Sequence, residues 1–328
     1  MPKMSNQKLK LIYLSRIFEE CTDRYHGLTL PEISSALGEY GISAERKSLY
    51  DDIESLKLAG YDIKTVRDSH VRYFLNTHKF ELAELRLLSD AVQSSKFLTP
   101  QKSRELVKKI GEMGSKYDAS KLKRQDFSSG RIKTDNEEIY NNIVALHSAI
   151  SENKKIRCNY FEWNEHKQRI LRKGGDAYIL SPWALIWDDE FYYLVAYDSD
   201  AEKIKHFRVD KMIRVKILDE LREGDACFAD FDAAVYSQRA FSMYGGEPIN
   251  VRMLADNSLA GVVLDRFGTG VTVLNRGDMF EFSAKVMISP TFYSWVLGFG
   301  NKMKILSPDY VADEAAQIAS EIVEMYKK

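Results

Sequence analysis

Cysteines are few in this chain of 328 residues, and long apolar runs and secretion signals are missing from it. Its three cysteines, Cys21, Cys158 and Cys227, lie far apart, so they form neither a disulfide framework nor a zinc-binding pattern. No apolar run approaches the ~20 residues that a membrane-spanning helix needs. The N-terminal residues contain lysines but no apolar stretch that ends in a cleavage site. We therefore expect a cytoplasmic protein that has no membrane partner.

Motifs typical of enzymes are also missing. The sequence has no P-loop, no H-E-x-x-H, no G-x-S-x-G and no C-x-x-C pattern. The pair Gly268 and Gly270 lacks a third glycine and follows a predicted helix, so it is not a dinucleotide-binding turn. The six histidines have no spacing that suits a metal ion. We predict no catalytic residue, no cofactor and no metal site, and no motif supports an enzyme that processes nucleic acids.

Charge of one sign does not dominate, because the chain has 47 basic and 48 acidic residues. The distribution is nevertheless uneven. Basic residues outnumber acidic residues within 79–133, whereas acidic residues predominate within 221–328. A local basic surface is enough to meet phosphate groups, so the N-terminal part is the better candidate for binding nucleic acid.

Three helices followed by a hairpin are predicted at the N-terminal end. The first helix covers residues 8–24, and a capping-box pattern at Thr29–Glu32 opens a short second helix. After a turn that contains two glycines, Ser43 caps a third helix over residues 44–59. The segment 61–75 is rich in β-branched and aromatic residues, which predicts a two-stranded hairpin.

This order predicts a winged helix-turn-helix over residues 1–78 that binds double-stranded operator DNA. On the third helix, Leu49 and Ile53 fall on the face that packs inward, while Lys47 and Tyr50 project away. The alternative is a protein-interaction module whose basic residues are only a solvated face. The candidate DNA-binding residues are polar or basic side chains of the third helix, the turn before it and the hairpin: Ser43, Arg46, Lys47, Ser48, Tyr50, Arg67 and Arg72.

The rest of the chain predicts a multidomain α+β protein. Residues 79–134 form a helical linker that helps to dimerise the protein, and its end, 121–134, is polar and lacks periodicity. A second capping-box pattern at Thr134–Glu137 opens a helix. Six short candidate strands within 135–220 predict a small β-barrel. Residues 221–328 follow the β-α-β-β-α-β order of a ferredoxin-like domain.

Three sequence blocks in the predicted barrel carry a resemblance to a known family. They are Ser181–Leu185, Phe191–Tyr197 and His206–Lys211, with Tyr160 at the end of the first strand. These blocks resemble the WYL family of bacterial regulators. The family's Trp-Tyr-Leu triplet falls on Tyr192–Leu194, so tyrosine replaces tryptophan here. The family's Arg-x-Phe-Arg-x-Asp-Arg pattern falls on Lys205–Lys211, with lysine in place of arginine at both ends.

The resemblance extends over nearly the whole chain. Residues 46–63 are similar to the winged helix common in these regulators, and Ser294–Gly300 resembles part of the C-terminal extension that follows WYL domains. The resemblance implies a Sm-like or SH3-like barrel with a basic ligand patch. It also implies an effector that is a nucleotide or a single-stranded nucleic acid.

Residues on one predicted strand point to the same kind of ligand. Ile204, His206, Arg208 and Asp210 alternate and so share a face. Tyrosine rings stack on bases, and basic side chains meet phosphate. The alternative is that Arg208 and Asp210 form only a salt bridge. The candidate effector-binding residues are Tyr160, Arg169, Ser181, Tyr192, His206, Arg208 and Lys211.

Together these expectations describe a homodimeric transcriptional regulator whose operator affinity depends on the effector. One recognition helix makes too few contacts for tight binding, whereas a dimer places two such helices about 34–36 Å apart, one turn of DNA. The alternative is an architectural or single-strand-binding protein that no effector controls.

Overall fold

The computed structural model describes residues 9–123, 132–229, 231–241, 243 and 248–327. The chain divides into two compact units, Met1–Asp135 and Asn136–Lys328. Both contain helices and β-structure, so the protein is a multidomain α+β chain. No helix in the described ranges combines the length and the apolar character needed to cross a membrane.

The first unit begins with the predicted three helices and hairpin. Its elements are α1 (Lys10–Cys21), α2 (Leu30–Glu39), α3 (Arg46–Leu58), β1 (Ile63–Arg67), β2 (Val71–Leu75), α4 (Leu82–Ser94), α5 (Pro100–Gly111) and α6 (Lys116–Lys123). One apolar core joins α1, α2, α3 and the hairpin, and it includes the fully buried Leu14, Phe18, Ile33, Leu49 and Ile53. These residues recur at helical spacing, which is why the pattern predicted the helices.

The predicted start of α2 is confirmed, whereas that of α3 is wrong. Thr29 and Glu32 form the reciprocal capping box. In contrast, α3 begins at Arg46 with Glu45 at the N-cap position and no side-chain cap. The chain stays extended before it because Ile42 is buried in the core and the Ala44 carbonyl accepts a hydrogen bond from Ser34 at 3.1 Å. Ser43 therefore lies too far ahead to cap the helix.

A glycine ends α3 as its position predicted. Gly60 adopts φ +99°, a left-handed conformation that glycine enters without a steric penalty. Its N–H donates to the Lys57 carbonyl, and the Tyr61 N–H donates to the Leu56 carbonyl, both at 3.0 Å. This is a Schellman ending, and it turns the chain sharply into the hairpin.

The described part of the segment after the hairpin is helical, as predicted, and consists of α4, α5 and α6. The chain leaves helical conformation between α5 and α6, around Met113–Ser115. There the Ser115 hydroxyl accepts a hydrogen bond from the Asp118 N–H in the first turn of α6. The polar end of the predicted linker, 121–134, falls largely outside the described residues, since 124–131 are not described.

The second unit contains one helix packed on a curled sheet and a second α+β layer. Its elements are α7 (Ile139–Ser151), β3 (Lys154–Trp163), β4 (Arg169–Leu171), β5 (Tyr178–Asp188), β6 (Phe191–Asp198), β7 (Lys203–Arg208), β8 (Met212–Leu221), α8 (Ala233–Arg239), β9 (Pro248–Asp256), α9 (Ala260–Phe267), β10 (Val273–Arg276), β11 (Met279–Met287), α10 (Pro290–Leu297), β12 (Met303–Ser307) and α11 (Asp309–Tyr326). The six strands predicted within 135–220 are all present.

The capping box predicted at Thr134–Glu137 is wrong. Helix α7 begins at Ile139 after Glu138, without a side-chain cap. Asn136 is buried instead, and its amide group donates to the carbonyls of Asp210 and Met212, each at 2.9 Å. Its side-chain oxygen accepts from the Glu138 N–H at 3.0 Å. These distant carbonyls hold the start of α7 against the sheet, and a local pattern cannot reveal them.

The curled sheet leaves β7 at an edge. Its strand order is β4-β3-β5-β6-β7, and β8 pairs with the other side of β3. Following this sheet, β9 to β12 form an antiparallel sheet in the order β10-β11-β9-β12, with α9 and α10 in the predicted β-α-β-β-α-β sequence. A small apolar cluster that includes Tyr193, Phe228 and Met287 joins the two sheets.

Candidate DNA-binding face and basic pocket

The N-terminal turn of α3 presents a basic face to solvent. Arg46, Lys47 and Tyr50 are exposed, while Leu49 lies buried behind them. The Arg46 guanidinium donates to the Tyr50 hydroxyl at 3.3 Å, and this bond lowers the pKa of Tyr50. The charge of Arg67 on β1 also lowers that pKa. We call Arg46, Lys47, Tyr50 and Arg67 the basic face of α3.

The hairpin separates its two predicted arginines. The register pairs Arg67 with Val71 and Val66 with Arg72, so Arg67 and Arg72 project from opposite sides of the hairpin. Arg72 lies 3.8 Å from the Asp68 carboxylate. Arg67 thus lies near the exposed turn of α3, and Arg72 does not join it.

Ser48 does not point to the basic face. Its hydroxyl accepts a hydrogen bond from the buried ammonium group of Lys10 on α1 at 2.5 Å. Lys10 also forms an ion pair with Asp52, one turn further along α3. This buried cation fixes α3 against α1, and sequence reasoning missed it because Lys10 resembles any surface lysine. Ser43 is exposed in the extended segment ahead of α3.

A cavity of about 1060 Å³ opens beside the edge strand β7. We call it the basic pocket, because six basic side chains and no acidic side chain of the described residues line it. The basic side chains are Arg172, Lys203, Lys205, Arg208, Lys211 and Arg239. Its aromatic side chains include Tyr160, Tyr178, Tyr193 and Tyr236. The combination suits a ligand that carries negative charge and a flat ring.

The structure brings four of the predicted effector residues together in this pocket: Tyr160, His206, Arg208 and Lys211. The other three lie elsewhere. Arg169 lies over the Phe161 ring at 4.6 Å, Tyr192 stacks on Trp187, and the buried Ser181 hydroxyl accepts from the Glu223 N–H at 2.9 Å. Alternation along β6 explains the difference for Tyr192, since its neighbour Tyr193 takes the pocket side.

Arg208 is held in place from three directions. Its guanidinium donates two hydrogen bonds to Asp210, at 3.1 and 2.8 Å, and lies 3.4 Å from the centre of the Phe191 ring. Its backbone N–H donates to the Tyr160 hydroxyl at 3.3 Å. Alternation predicted that Asp210 lies on the same strand as Arg208, and this is wrong. Strand β7 ends at Arg208, and Val209–Lys211 form a 3₁₀ turn. The turn is what allows the bidentate pair.

His206 connects β7 to α8. Its Nε2 lies 3.0 Å from the Tyr236 hydroxyl. Burial lowers the pKa of His206 to about 4 and raises that of Tyr236 to about 12, so both groups are neutral near pH 7. The pocket charge therefore comes from its lysines and arginines alone. Burial, followed by the nearby charge of Arg208, lowers the pKa of Lys211.

The sequence missed several lining residues for two reasons. Lys203 and Lys205 lie on the same strand as His206, but alternation assigns them to the opposite face, so the shared-face pattern does not select them. Tyr236 and Arg239 lie one helical turn apart on α8, outside the blocks that carry the resemblance. Only the folded chain shows that this helix covers the pocket.

Comparison with known proteins identifies two domains in the second unit. The WYL domain model matches residues 141–217, and the WCX domain model matches residues 247–323. No curated protein matches the chain. Among solved structures, proteasome accessory factor B/C (PafBC) of Arthrobacter aurescens is 18% identical over 99% of this chain and 49% of its own, with a TM-score of 0.31. A CRISPR Cas-related protein is 15% identical over 87% of this chain and 74% of its own, with a TM-score of 0.39. The chain thus spans about half the length of the PafBC structure.

Proposed function

We propose that this WYL-domain protein is a DNA-binding transcriptional regulator whose affinity for operator DNA is controlled by an effector in the basic pocket. A winged helix-turn-helix over 1–78 binds the duplex, and the helical segment 79–134 transmits the signal and helps to dimerise the chain. A Sm-like or SH3-like barrel over 135–220 holds the effector. A ferredoxin-like extension over 221–328 completes the protomer.

The observation that carries the DNA-binding proposal is the basic face of α3. Side chains at the N-terminal end of a recognition helix reach the base edges and phosphates of the major groove. Arg46 and Lys47 are exposed there, and neither forms an ion pair within the parts of the chain that the structure describes. Arg67 extends the face along the hairpin, and we propose that it contacts the DNA backbone.

The basic pocket supports an anionic effector, either a nucleotide or a short single-stranded nucleic acid. Its lysines and arginines attract phosphate, and tyrosine rings such as Tyr160 and Tyr193 provide surfaces for a base. We propose that the effector changes the spacing or angle of two winged helices in a homodimer. Such control requires that the ligand binds the two conformations with different affinity.

A selection experiment tests this function directly. The full chain is incubated with a pool of random duplex DNA in the presence of a chelator, and the bound sequences are recovered over several rounds. Enrichment of one motif, with intact DNA, supports a sequence-specific regulator. The affinity for that motif is then measured with and without dinucleotides and short single-stranded DNA. Sequence-blind binding that no ligand alters would instead support an architectural or single-strand-binding protein.

A further inference from the structure

We propose that Lys211 and Arg239 bind the anionic group of the pocket's ligand, whereas Arg208 positions the pocket wall without contacting that group. The inference rests on the effector pocket of the proposed function and assigns separate roles to its basic side chains. Arg239 lies on α8, outside both matched domains, so the connecting helix completes the site.

Three of the basic side chains already have a carboxylate partner. The pairs are Arg208 with Asp210, Arg172 with Glu162, and Lys205 with Asp198. A guanidinium bound in bidentate fashion has used the two parallel N–H groups that it would offer to a phosphate. It also cannot turn to a ligand without leaving a buried carboxylate unpaired, which is costly. Arg208 is therefore a positioning residue.

Lys211 and Arg239 differ from this group. Across the residues that the structure describes, neither forms a hydrogen bond or an ion pair through its side chain. Lys211 is half-buried, and burial together with the charge of Arg208 lowers its pKa, although the Asp210 and Glu162 carboxylates, each already paired with an arginine, act in the opposite direction. A partly buried cation without a partner is destabilising until an anion binds it. Lys203 also has no carboxylate partner among the described residues, but its side chain is exposed to solvent.

Helix α8 is held where Arg239 can face the pocket. Tyr236 lies one turn before Arg239 on the same side of the helix, and its hydroxyl contacts His206 on β7. Phe231 packs on Tyr236 with ring centres 5.0 Å apart. A ligand that binds both Lys211 and Arg239 therefore connects the end of the curled sheet with the segment that leads to β9.

The test uses the full chain with two probes, a five-residue oligothymidylate and inorganic pyrophosphate, and measures binding by calorimetry at several salt concentrations. Each phosphate contact with a single strand contributes ~0.7 to the slope of log affinity against log salt. We expect Arg239→Gln and Lys211→Gln each to weaken oligothymidylate binding about tenfold and to reduce the slope by ~0.7. Arg208→Gln should weaken binding without changing the slope.

A matched control is Arg276→Gln, because Arg276 is bonded to Glu281 on β11 and does not line the pocket. This variant should bind as the unaltered protein does. Arg239→Lys keeps the charge, so it should restore the slope while recovering only part of the affinity. Thermal melting of each variant establishes that it folds, and the Lys211→Gln variant tests the same anion site if Arg239→Gln does not fold.

Three results would overturn the assignment. They are unchanged affinity and slope in Arg239→Gln and Lys211→Gln, a reduced slope in Arg208→Gln, and failure of the unaltered protein to bind either probe. A different result separates this inference from the proposed function. If the probes bind through Lys211 and Arg239 but leave the affinity for duplex DNA unchanged, effector control is wrong and the anion site stands.

Discussion

Removing the two cations at the start of α3 makes a quantitative prediction about salt. Arg46→Gln combined with Lys47→Gln deletes two exposed charges, and Arg46 bonds to the exposed Tyr50 rather than to the core, so the fold should survive. Each phosphate contact with duplex DNA contributes ~0.9 to the slope of log affinity against log salt. If both residues contact phosphate in each protomer of a dimer, the variant's slope should be smaller by ~3.6.

The slope converts into a difference in affinity. Between about 50 and about 200 mM salt, the unaltered protein should lose ~150-fold more affinity than the variant if it binds as a dimer. Binding by a single chain would halve the change in slope and reduce that ratio to ~12-fold. Fluorescence anisotropy with labelled duplex measures both, and the same titration therefore reports the number of chains on the DNA.

The control variant removes the same number and kind of charged side chains at other positions of the first unit. Arg16→Gln combined with Lys57→Gln deletes one arginine and one lysine whose ion pairs, with Glu20 and Glu54, lie outside the basic face of α3. Its slope should match that of the unaltered protein. If the two double variants have equal slopes and unchanged melting temperatures, α3 does not meet DNA through Arg46 and Lys47.

Three further predictions concern the second unit. His206 has its pKa lowered to about 4 by burial, so the unfolded chain binds a proton at higher pH than the folded chain and stability falls as the pH drops from about 6.5 to about 4. His206→Gln should remove that part of the pH dependence of urea unfolding, and an identical profile would contradict a neutral buried imidazole. Arg208→Gln leaves the Asp210 carboxylate unpaired and should lower the free energy of unfolding by about 1–3 kcal/mol, with partial recovery when Asp210→Asn is added. Equal stability of the single and double variants would show that the unpaired Asp210 carboxylate is not the source of the loss. Asn136→Ala removes the side-chain donor to the buried Asp210 carbonyl and one of the two side-chain donors to the Met212 carbonyl, so urea unfolding should show a loss of about 1–3 kcal/mol, and a negligible loss would show that these bonds do not hold α7.

Local signals predicted much of the secondary structure and part of the site. The capping box at Thr29 correctly predicts where α2 begins, and Gly60 correctly predicts where α3 ends. Both signals are local, because the groups that they hydrogen-bond lie within a few residues. The caps predicted at Ser43 and at Thr134–Glu137 are wrong, because a buried Ile42 and the long-range bonds of Asn136 decide those starts. Local chemistry competes with tertiary contacts at such positions, and the tertiary contacts prevail.

The amino-acid order alone determines which strands and helices form, because period and capping act over a few residues. It also places basic and aromatic residues on β7, and so predicts the chemistry of the ligand. Which of those side chains are available depends on tertiary structure. Asp210 neutralises Arg208 through a 3₁₀ turn, and α8, some 30 residues beyond β7, brings Arg239 to the same cavity. Whether two charged side chains pair depends on the distance between them in the folded chain, and their separation along the sequence does not give that distance.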